Sequence, residues 1–116
     1  MKILNKSNGI LIADKIKVAN TFVSRLKGLL GYKNLQEGEG LVLFPCSAIH
    51  CYGMKFKIDV LFLDENKKVI GIKKGLGPGS TASIKKAKYV VELKEGAINK
   101  KNIKIGDFLA FRNGDS

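Results

Sequence analysis

The segment IDVLFLD, at residues 58–64, constrains the fold more than any other part of the sequence. Side chains alternate between the two faces of a β-strand, so this segment would place apolar groups on both of its faces. A strand that is apolar on both faces is covered on both sides, which predicts an interior strand of a sheet. Asp59 is the only charged residue among residues 58–63, and it therefore needs an explanation.

Several other short segments have the apolar and β-branched composition of strands, separated by turn residues. The predicted strands are MKILN, ILIADKIKVA, LVLF, VIGIKK, KYVVELK and IKIGDFLAF. VIGIKK follows the turn DENKK, which predicts a hairpin with IDVLFLD. The glycine-containing segments NLQEGEG and GLGPGSTAS are predicted to be loops.

One segment has the period of a helix. In NTFVSRLKGLLGY, the apolar residues Phe22, Leu26 and Leu29 recur at helical spacing, which predicts the main helix near residues 21–30. The segment GAINKKN predicts a single further turn of helix. Several strands, one main helix and short connections predict an α+β fold of mainly antiparallel strands, in a compact barrel or sandwich.

The length of 116 residues predicts a single domain over residues 1–116, large enough to form a core without a disulfide or a metal. No apolar run is long enough to cross a bilayer. Lysines, Asn8 and Asp14 interrupt the N-terminal segment too early for the apolar core of a signal peptide. We therefore expect a cytoplasmic protein without a membrane partner, whose two cysteines are free thiols.

The formal net charge of +11 favours association with phosphates, anionic lipids or acidic partners. The lysines behind this charge are scattered, and no aromatic residues interleave with them. Their doublets lie at residues 67–68, 73–74, 85–86 and 100–101. Because nucleic-acid binders concentrate basic and aromatic side chains on one surface, weak nucleic-acid binding is kept only as a secondary alternative.

Five short motifs occur in a fixed order within a stretch from about Phe22 to about Phe108: RLKGL, GEGLVLFP, IHCYGMKFKIDVLFLD, YVVELKEG and KIGD. This ordered set resembles the uncharacterised family known as domain of unknown function 192. Lys57 stands where that family often has a proline before the Ile-Asp pair. The resemblance implies a small, β-rich fold, and it implies no established activity.

Both cysteines and the only histidine of the chain lie within six positions, as Cys46, His50 and Cys51. Structural zinc takes four ligands, and this group offers three at most. Because His50 and Cys51 are adjacent, they would also point to opposite sides of a strand. The sequence therefore predicts no metal site, and it indicates no cofactor.

A thiol-dependent or hydrolytic enzyme using Cys46 or Cys51 with His50 is the leading alternative function. A thiol nucleophile needs a base within hydrogen-bond reach. Cys46 and His50 would lie roughly 13 Å apart in an extended segment, at about 3.3 Å per residue, but would be neighbours if SAIH formed a helical turn. The sequence leaves both arrangements open, as well as the packing of each cysteine as a small apolar residue.

Asp59 is the main indication of a site. A carboxylate in an apolar strand is costly unless it is paired with a cation or with several backbone donors. We expect Arg25 to be its partner, because Arg25 interrupts the apolar side of the predicted helix and can bind a carboxylate through two hydrogen bonds. A purely structural ion pair or a clamp of backbone N–H groups is the alternative.

His50 and Met54 have the same strand parity and would form the wall of a pocket. The sequence therefore favours binding over catalysis. The predicted function is a binding module for a small ligand or a protein segment. The predicted ligand-binding residues are Arg25, His50, Met54 and Asp59.

Overall fold

The computed structural model describes residues 1–21, 24–25 and 28–113. Within them the chain forms three sheets and one short helix. The strands are β1 (Lys2–Asn5), β2 (Leu11–Ala13), β3 (Lys15–Ala19), β4 (Glu39–Leu43), β5 (Ala48–His50), β6 (Ile58–Leu63), β7 (Val69–Leu76), β8 (Thr81–Ser83), β9 (Tyr89–Lys94) and β10 (Leu109–Arg112), and the helix α1 spans Ala97–Lys100.

The central sheet has five strands in the order β3-β4-β9-β6-β7. Its pairs are antiparallel except for β3 and β4, which run parallel. β6 lies between β9 and β7 with all of its side chains buried, which confirms the predicted interior strand. β6 and β7 also form the predicted hairpin. The mainly antiparallel, β-rich fold expected from the sequence is therefore confirmed.

One side of the central sheet, here called the α1 face, carries Asp59, Leu61 and Leu63 of β6. It packs against the sheet β10-β1-β2 and against α1. Ile3 and Ile98 contribute the opposing side chains, both at most 1% exposed. Burying each such aliphatic side chain stabilises the fold by about 1.5–3 kcal/mol, so this face supplies a large share of the hydrophobic stabilisation.

The opposite side, here called the cavity face, carries Ile58, Val60 and Phe62 of β6. The short ribbon of β5 and β8 lies over it and contributes the buried Ile49. Leu29, from the segment after β3, joins the same cluster. The two faces thus divide the core into two clusters, separated by the backbone of the central sheet.

ILIADKIKVA was predicted as one strand, and this is wrong. The segment forms β2 and β3, which belong to different sheets. The chain changes sheet at Asp14, where the N–H groups of Asp14 and Lys15 both donate to the carbonyl oxygen of Gly38. The first half is apolar throughout and the second alternates lysine with apolar residues, and both patterns occur in strands, so the sequence pattern does not show the break.

GLGPGSTAS was predicted as a loop, and this is only partly right. β7 continues through Gly75 to Leu76, and Thr81–Ser83 forms β8. β8 pairs with β5, whose residues lie more than thirty positions earlier in the sequence. Small residues with a distant partner give no local strand signal, which explains the difference.

The predicted main helix, near residues 21–30, is described only in part. Phe22 and Leu26 lie outside the described residues. Within the described part, the N–H group of Arg25 donates to the carbonyl oxygen of Thr21 at 2.9 Å, which is the hydrogen bond of a helical turn.

The shorter predicted helical turn, GAINKKN, is confirmed as α1. Asn102 follows it with a φ of 55°, a left-handed conformation that ends the turn. No helix in the described part of the chain has the length and apolar character needed to span a membrane.

Candidate functional site

A cavity of about 470 Å³ opens on the cavity face, bounded by β4 and β9 of the central sheet, by β5 of the β5–β8 ribbon and by residues between β3 and β4. Its walls are mostly apolar. Leu43 of β4, Ile49 of β5, Leu29 and Met54 supply much of this surface. Such a volume and such walls are typical of sites for small organic molecules.

Five polar or titratable side chains also line the cavity: Arg25, Cys46, His50, Tyr52 and Glu92. They come from four parts of the chain, since Arg25 follows β3, Cys46 follows β4, His50 and Tyr52 lie at and just after the end of β5, and Glu92 lies in β9. Arg25, His50 and Met54 were predicted as site residues, and the structure places all three in the same lining.

Glu92 is the central polar group of this cavity. It lies opposite Leu41 of β4 and Val60 of β6, so its side chain points to the cavity face. It is only 5% exposed, and its Oε1 atom has no hydrogen-bond partner within residues 1–21, 24–25 and 28–113. Burial raises the pKa of Glu92 to about 7, because the apolar surroundings disfavour the charged form.

The sequence interpretation missed Glu92, although a signal was present. Glu92 lies between Val91 and Leu93 in the predicted strand KYVVELK, just as Asp59 lies inside IDVLFLD. The requirement that a carboxylate in an apolar strand find a partner holds for both residues. Only Asp59 was interpreted in this way.

Asp59 lies on the α1 face, and it does not line the cavity. It is 1% exposed. Its Oδ1 atom accepts a hydrogen bond from the N–H group of Gly75 at 2.9 Å. Its Oδ2 atom accepts from Gly96 at 3.1 Å and from Ile98 at 3.0 Å.

The expected pairing of Arg25 with Asp59 is therefore wrong, and the alternative of a backbone clamp is confirmed. The reason is strand parity. Asp59 points away from the cavity face, whereas Arg25 lines the cavity and its Nη1 atom donates to the carbonyl oxygen of Asn20 at 3.2 Å. The predicted cleft thus keeps three of its four residues, with Glu92 as its buried carboxylate in place of Asp59.

The clamp also explains why two sequence motifs occur together. The carboxylate of Asp59, in the Ile-Asp pair, accepts from the N–H group of Gly96, the last residue of YVVELKEG. Gly96 has a φ of 93°, a conformation that favours glycine, and it immediately precedes α1. These motifs therefore describe a structural junction between β6 and the start of α1.

The two thiols are poorly suited to nucleophilic attack. Burial raises the pKa of Cys46, and the negative charge of Glu92 raises it further. Burial likewise raises the pKa of Cys51, which has no exposed surface. The Cys46 thiol donates to the carbonyl oxygen of Ala48 at 3.1 Å. Because the thiolate is the reactive form, both groups are largely unreactive at neutral pH.

The segment from Cys46 to His50 does not form the helical turn that would make these residues neighbours. Residues 48–50 are the extended strand β5, in which His50 pairs with Thr81 of β8. His50 is exposed at the end of that strand. Of the two arrangements left open by the sequence, the extended one is therefore observed.

The described residues contain no group of three or more His, Cys, Asp or Glu side chains arranged to hold a metal ion. Cys46, His50 and Glu92 line one cavity, but they do not form such a group.

The sequence profile of the DUF192 family, described as "Uncharacterized ACR", matches residues 3–111. The chain belongs to the DUF192 family. This membership confirms the resemblance drawn from the ordered motifs. The β6 strand, the Asp59 clamp and Glu92 all lie within the matched range.

Archaeal relatives support the assignment to DUF192. A UPF0127 protein of Thermococcus sibiricus is 31% identical over 110 residues, covering 90% of this chain and 71% of its own. A UPF0127 protein of Thermococcus kodakarensis is 30% identical over 114 residues, covering 94% of this chain and 72% of its own. These names carry no activity.

Two solved structures have the same fold as this DUF192 chain. A protein of unknown function from Novosphingobium aromaticivorans matches with a TM-score of 0.82 and 19% identity, covering 95% of this chain and 82% of its own. A candidate transcription regulator from Sinorhizobium meliloti matches with a TM-score of 0.81 and 19% identity, covering 94% and 89%. At this identity the likeness concerns the fold alone.

Proposed function

We propose that the chain is a binding module that holds a small, largely apolar ligand in the cavity beside the β5–β8 ribbon. One observation carries this proposal: a buried carboxylate oxygen, Oε1 of Glu92, has no hydrogen-bond partner among the described residues and lies in a mostly apolar wall. The cavity volume of about 470 Å³ falls within the range that is usual for small-molecule sites.

The energetic argument starts from the cost of an unpaired carboxylate. Burying a polar group without a hydrogen bond costs about 1–3 kcal/mol in proteins. A valine or leucine in place of Glu92 would remove this cost, because the neighbouring strands present Leu41 and Val60 at the same level. A side chain that weakens the fold at a cavity wall is best explained by a partner that arrives with the ligand.

The remaining lining residues have complementary properties. Met54 is half-buried and offers a flexible, polarisable surface that adapts to different apolar shapes. Arg25 can bind an anionic group of a ligand, and His50 lies exposed at the end of the ribbon. A bound ligand would therefore contact mostly apolar walls, together with a few polar groups at fixed positions.

A fragment screen by protein NMR tests the proposal. We expect fragments to shift the amide resonances of Ile49 and Glu92 and to leave that of Ile98, on the α1 face, unchanged. Met54→Trp would fill the cavity and is expected to weaken binding at least about tenfold. Ile105→Trp, at a residue 62% exposed and outside the cavity lining, is the matched control and should bind like the original chain.

A screen in which fragments shift no cavity resonance would contradict the proposal. Fragments that bind Met54→Trp as well as the original chain would do the same.

The thiol-dependent or hydrolytic enzyme has less support. The raised pKa values of Cys46 and Cys51 reduce the thiolate needed for attack, and His50 belongs to an extended strand. Nucleic-acid binding rests only on the net charge of +11 and predicts a steep loss of affinity with salt. The proposal includes a cytoplasmic location, which the two free cysteines support.

A further inference from the structure

We propose that the ligand of this cavity is an organic ammonium ion, whose cationic head pairs with Glu92 and whose hydrocarbon body lies against the apolar walls. This inference rests on the proposed function, since it names the chemical class that the same cavity would bind. Two features support it: the unmet hydrogen bond of Glu92 and the apolar walls.

The unmet hydrogen bond selects for a donor. A carboxylate oxygen accepts hydrogen bonds, and an ammonium group supplies three N–H donors together with a positive charge. Hydrogen bonds between ionised partners are roughly twice as strong as those between neutral ones. Because Oε1 of Glu92 is buried and unpaired within the described residues, an ammonium head would offset the desolvation cost of this oxygen by donating a hydrogen bond to it.

The walls select for a hydrocarbon body. Leu29, Leu43, Ile49 and Met54 offer apolar surface beside Glu92. A small hydrated cation would leave this surface in contact with water, whereas an alkyl or aryl group would cover it. The ligand class is therefore an apolar amine in its protonated form.

Other charged and titratable groups share the cavity with Glu92. Arg25 in the lining favours anions, and His50 and Tyr52 in the lining are exposed to solvent. Cys46 in the lining and Cys51 nearby are held neutral by their raised pKa values. Arg25 is half-exposed and already donates to the carbonyl oxygen of Asn20, so solvent screens much of its charge. The charge of Glu92 is screened less than that of Arg25, and only Glu92 has a buried atom without a hydrogen-bond partner among the described residues.

A matched ligand series tests the inference. Hexylamine, hexanol and hexanoate have the same chain length and carry a cationic, a neutral and an anionic head. Each is titrated into the isotope-labelled chain at pH 7.5, and Kd is measured from the amide shifts of cavity residues. We expect hexylamine to bind most tightly.

Variants locate the effect. Glu92→Gln keeps the size of the side chain and removes its charge, so we expect it to weaken hexylamine binding at least about tenfold and to leave hexanol binding unchanged. Glu65→Gln removes the same charge from an exposed turn and is the control, for which no change is expected.

A pH series on the unaltered chain gives a second readout that needs no variant of Glu92. Hexylamine binding requires the ionised carboxylate, so its affinity should rise about 30-fold between pH 5.5 and pH 8. His50→Gln removes the imidazole from the cavity lining, and most of the rise should persist in it.

The outcomes separate this inference from the proposed function. Tighter binding of hexanol or hexanoate at the cavity, or a flat pH series for hexylamine, would overturn the ammonium inference and leave the binding module standing. The ammonium inference also fails, alone, if screened fragments occupy the cavity while hexylamine does not. If neither the series nor the fragments shift cavity resonances, both fail.

Discussion

Asp59 and Glu92 are buried carboxylates in the neighbouring strands β6 and β9, yet they point to opposite faces of one sheet. On the α1 face, three backbone N–H groups donate to Asp59. On the cavity face, one oxygen of Glu92 has no hydrogen-bond partner in the part of the chain that the structure describes. The comparison teaches that burial alone does not distinguish a structural carboxylate from a candidate binding group; the supply of donors does.

The two faces also differ in what they do for stability. The clamp at Asp59 accepts hydrogen bonds from the N–H groups of Gly96 and Ile98 at the start of α1, and without it the N–H group of Ile98 would be buried without a partner. Glu92 satisfies no such group on the cavity face. We therefore expect opposite effects when each carboxylate is removed.

The largest effect is expected for Asp59→Ala. Removing the carboxylate breaks three hydrogen bonds to a charged group, at about 1.5–3 kcal/mol each, and leaves the buried N–H group of Ile98 without an acceptor, so we expect a loss of about 4 kcal/mol in the free energy of unfolding. Asp59→Asn keeps one acceptor oxygen and should lose about half as much. Urea denaturation measures both. A loss below about 1 kcal/mol for Asp59→Ala would show that the clamp is not needed for stability.

Glu92→Gln should produce a stabilisation that depends on pH. The pKa of Glu92 is about 7 in the folded chain against 4.5 as the usual value, so the folded state binds more protons between these pH values. Stability is therefore highest below pH 4.5, falls as pH rises towards 7, and stays reduced above it.

This difference amounts to about 3 kcal/mol, which Glu92→Gln should remove. The measurement compares urea unfolding of the variant and the original chain at pH 4.5 and at pH 8, with Glu65→Gln as control. Parallel stability curves for the variant and the original chain would mean that the carboxylate is not held in an apolar environment.

A smaller effect is expected on the reactivity of Cys46. The charge of Glu92 helps to raise the pKa of this thiol, so Glu92→Gln should lower it and speed alkylation by about two- to fivefold. Iodoacetamide labelling at pH 8, followed by mass spectrometry, measures the rate. Cys51, which has no exposed surface, should stay unlabelled in the folded chain. Slower labelling of Cys46 in the variant would contradict this account.

The smallest effect is expected for a third acidic side chain, Glu37, which is exposed. Lys100 donates to it at 2.6 Å and holds its pKa below the usual value. Both side chains are about 60% exposed, so solvent screens the pair. Lys100→Ala should leave the urea midpoint unchanged. A clear shift would show that this exposed ion pair contributes to stability despite its screening by solvent.

Much of the fold was accessible from local sequence patterns. The alternation in Ile58–Leu63 indicated an interior strand, because a strand with two apolar faces has to be covered twice. The division between β2 and β3 was not accessible, since the carbonyl group that holds the break belongs to Gly38, more than twenty residues later. Local sequence patterns thus indicate which segments form strands, whereas hydrogen bonds to residues distant in the sequence decide which strands pair.

The site was accessible to a smaller extent. The need of Asp59 for partners followed from its surroundings, but the donors that meet this need come from Gly75 and Gly96, which are 16 and 37 positions away. Arg25, His50 and Met54 do meet at one cavity, as their predicted roles required. Glu92 became visible only when the register of β9 showed which face its side chain occupies.

The pairing of the β5–β8 ribbon bears on how a ligand would enter the cavity. Among the described strands, β5 and β8 pair only with each other, so we expect an outward displacement of β5 to break no strand pairing in either larger sheet. The entry barrier then depends on pulling a few side chains such as Ile49 out of their packing. We expect the amide of Ile49 to exchange with solvent deuterium far sooner than that of Val60.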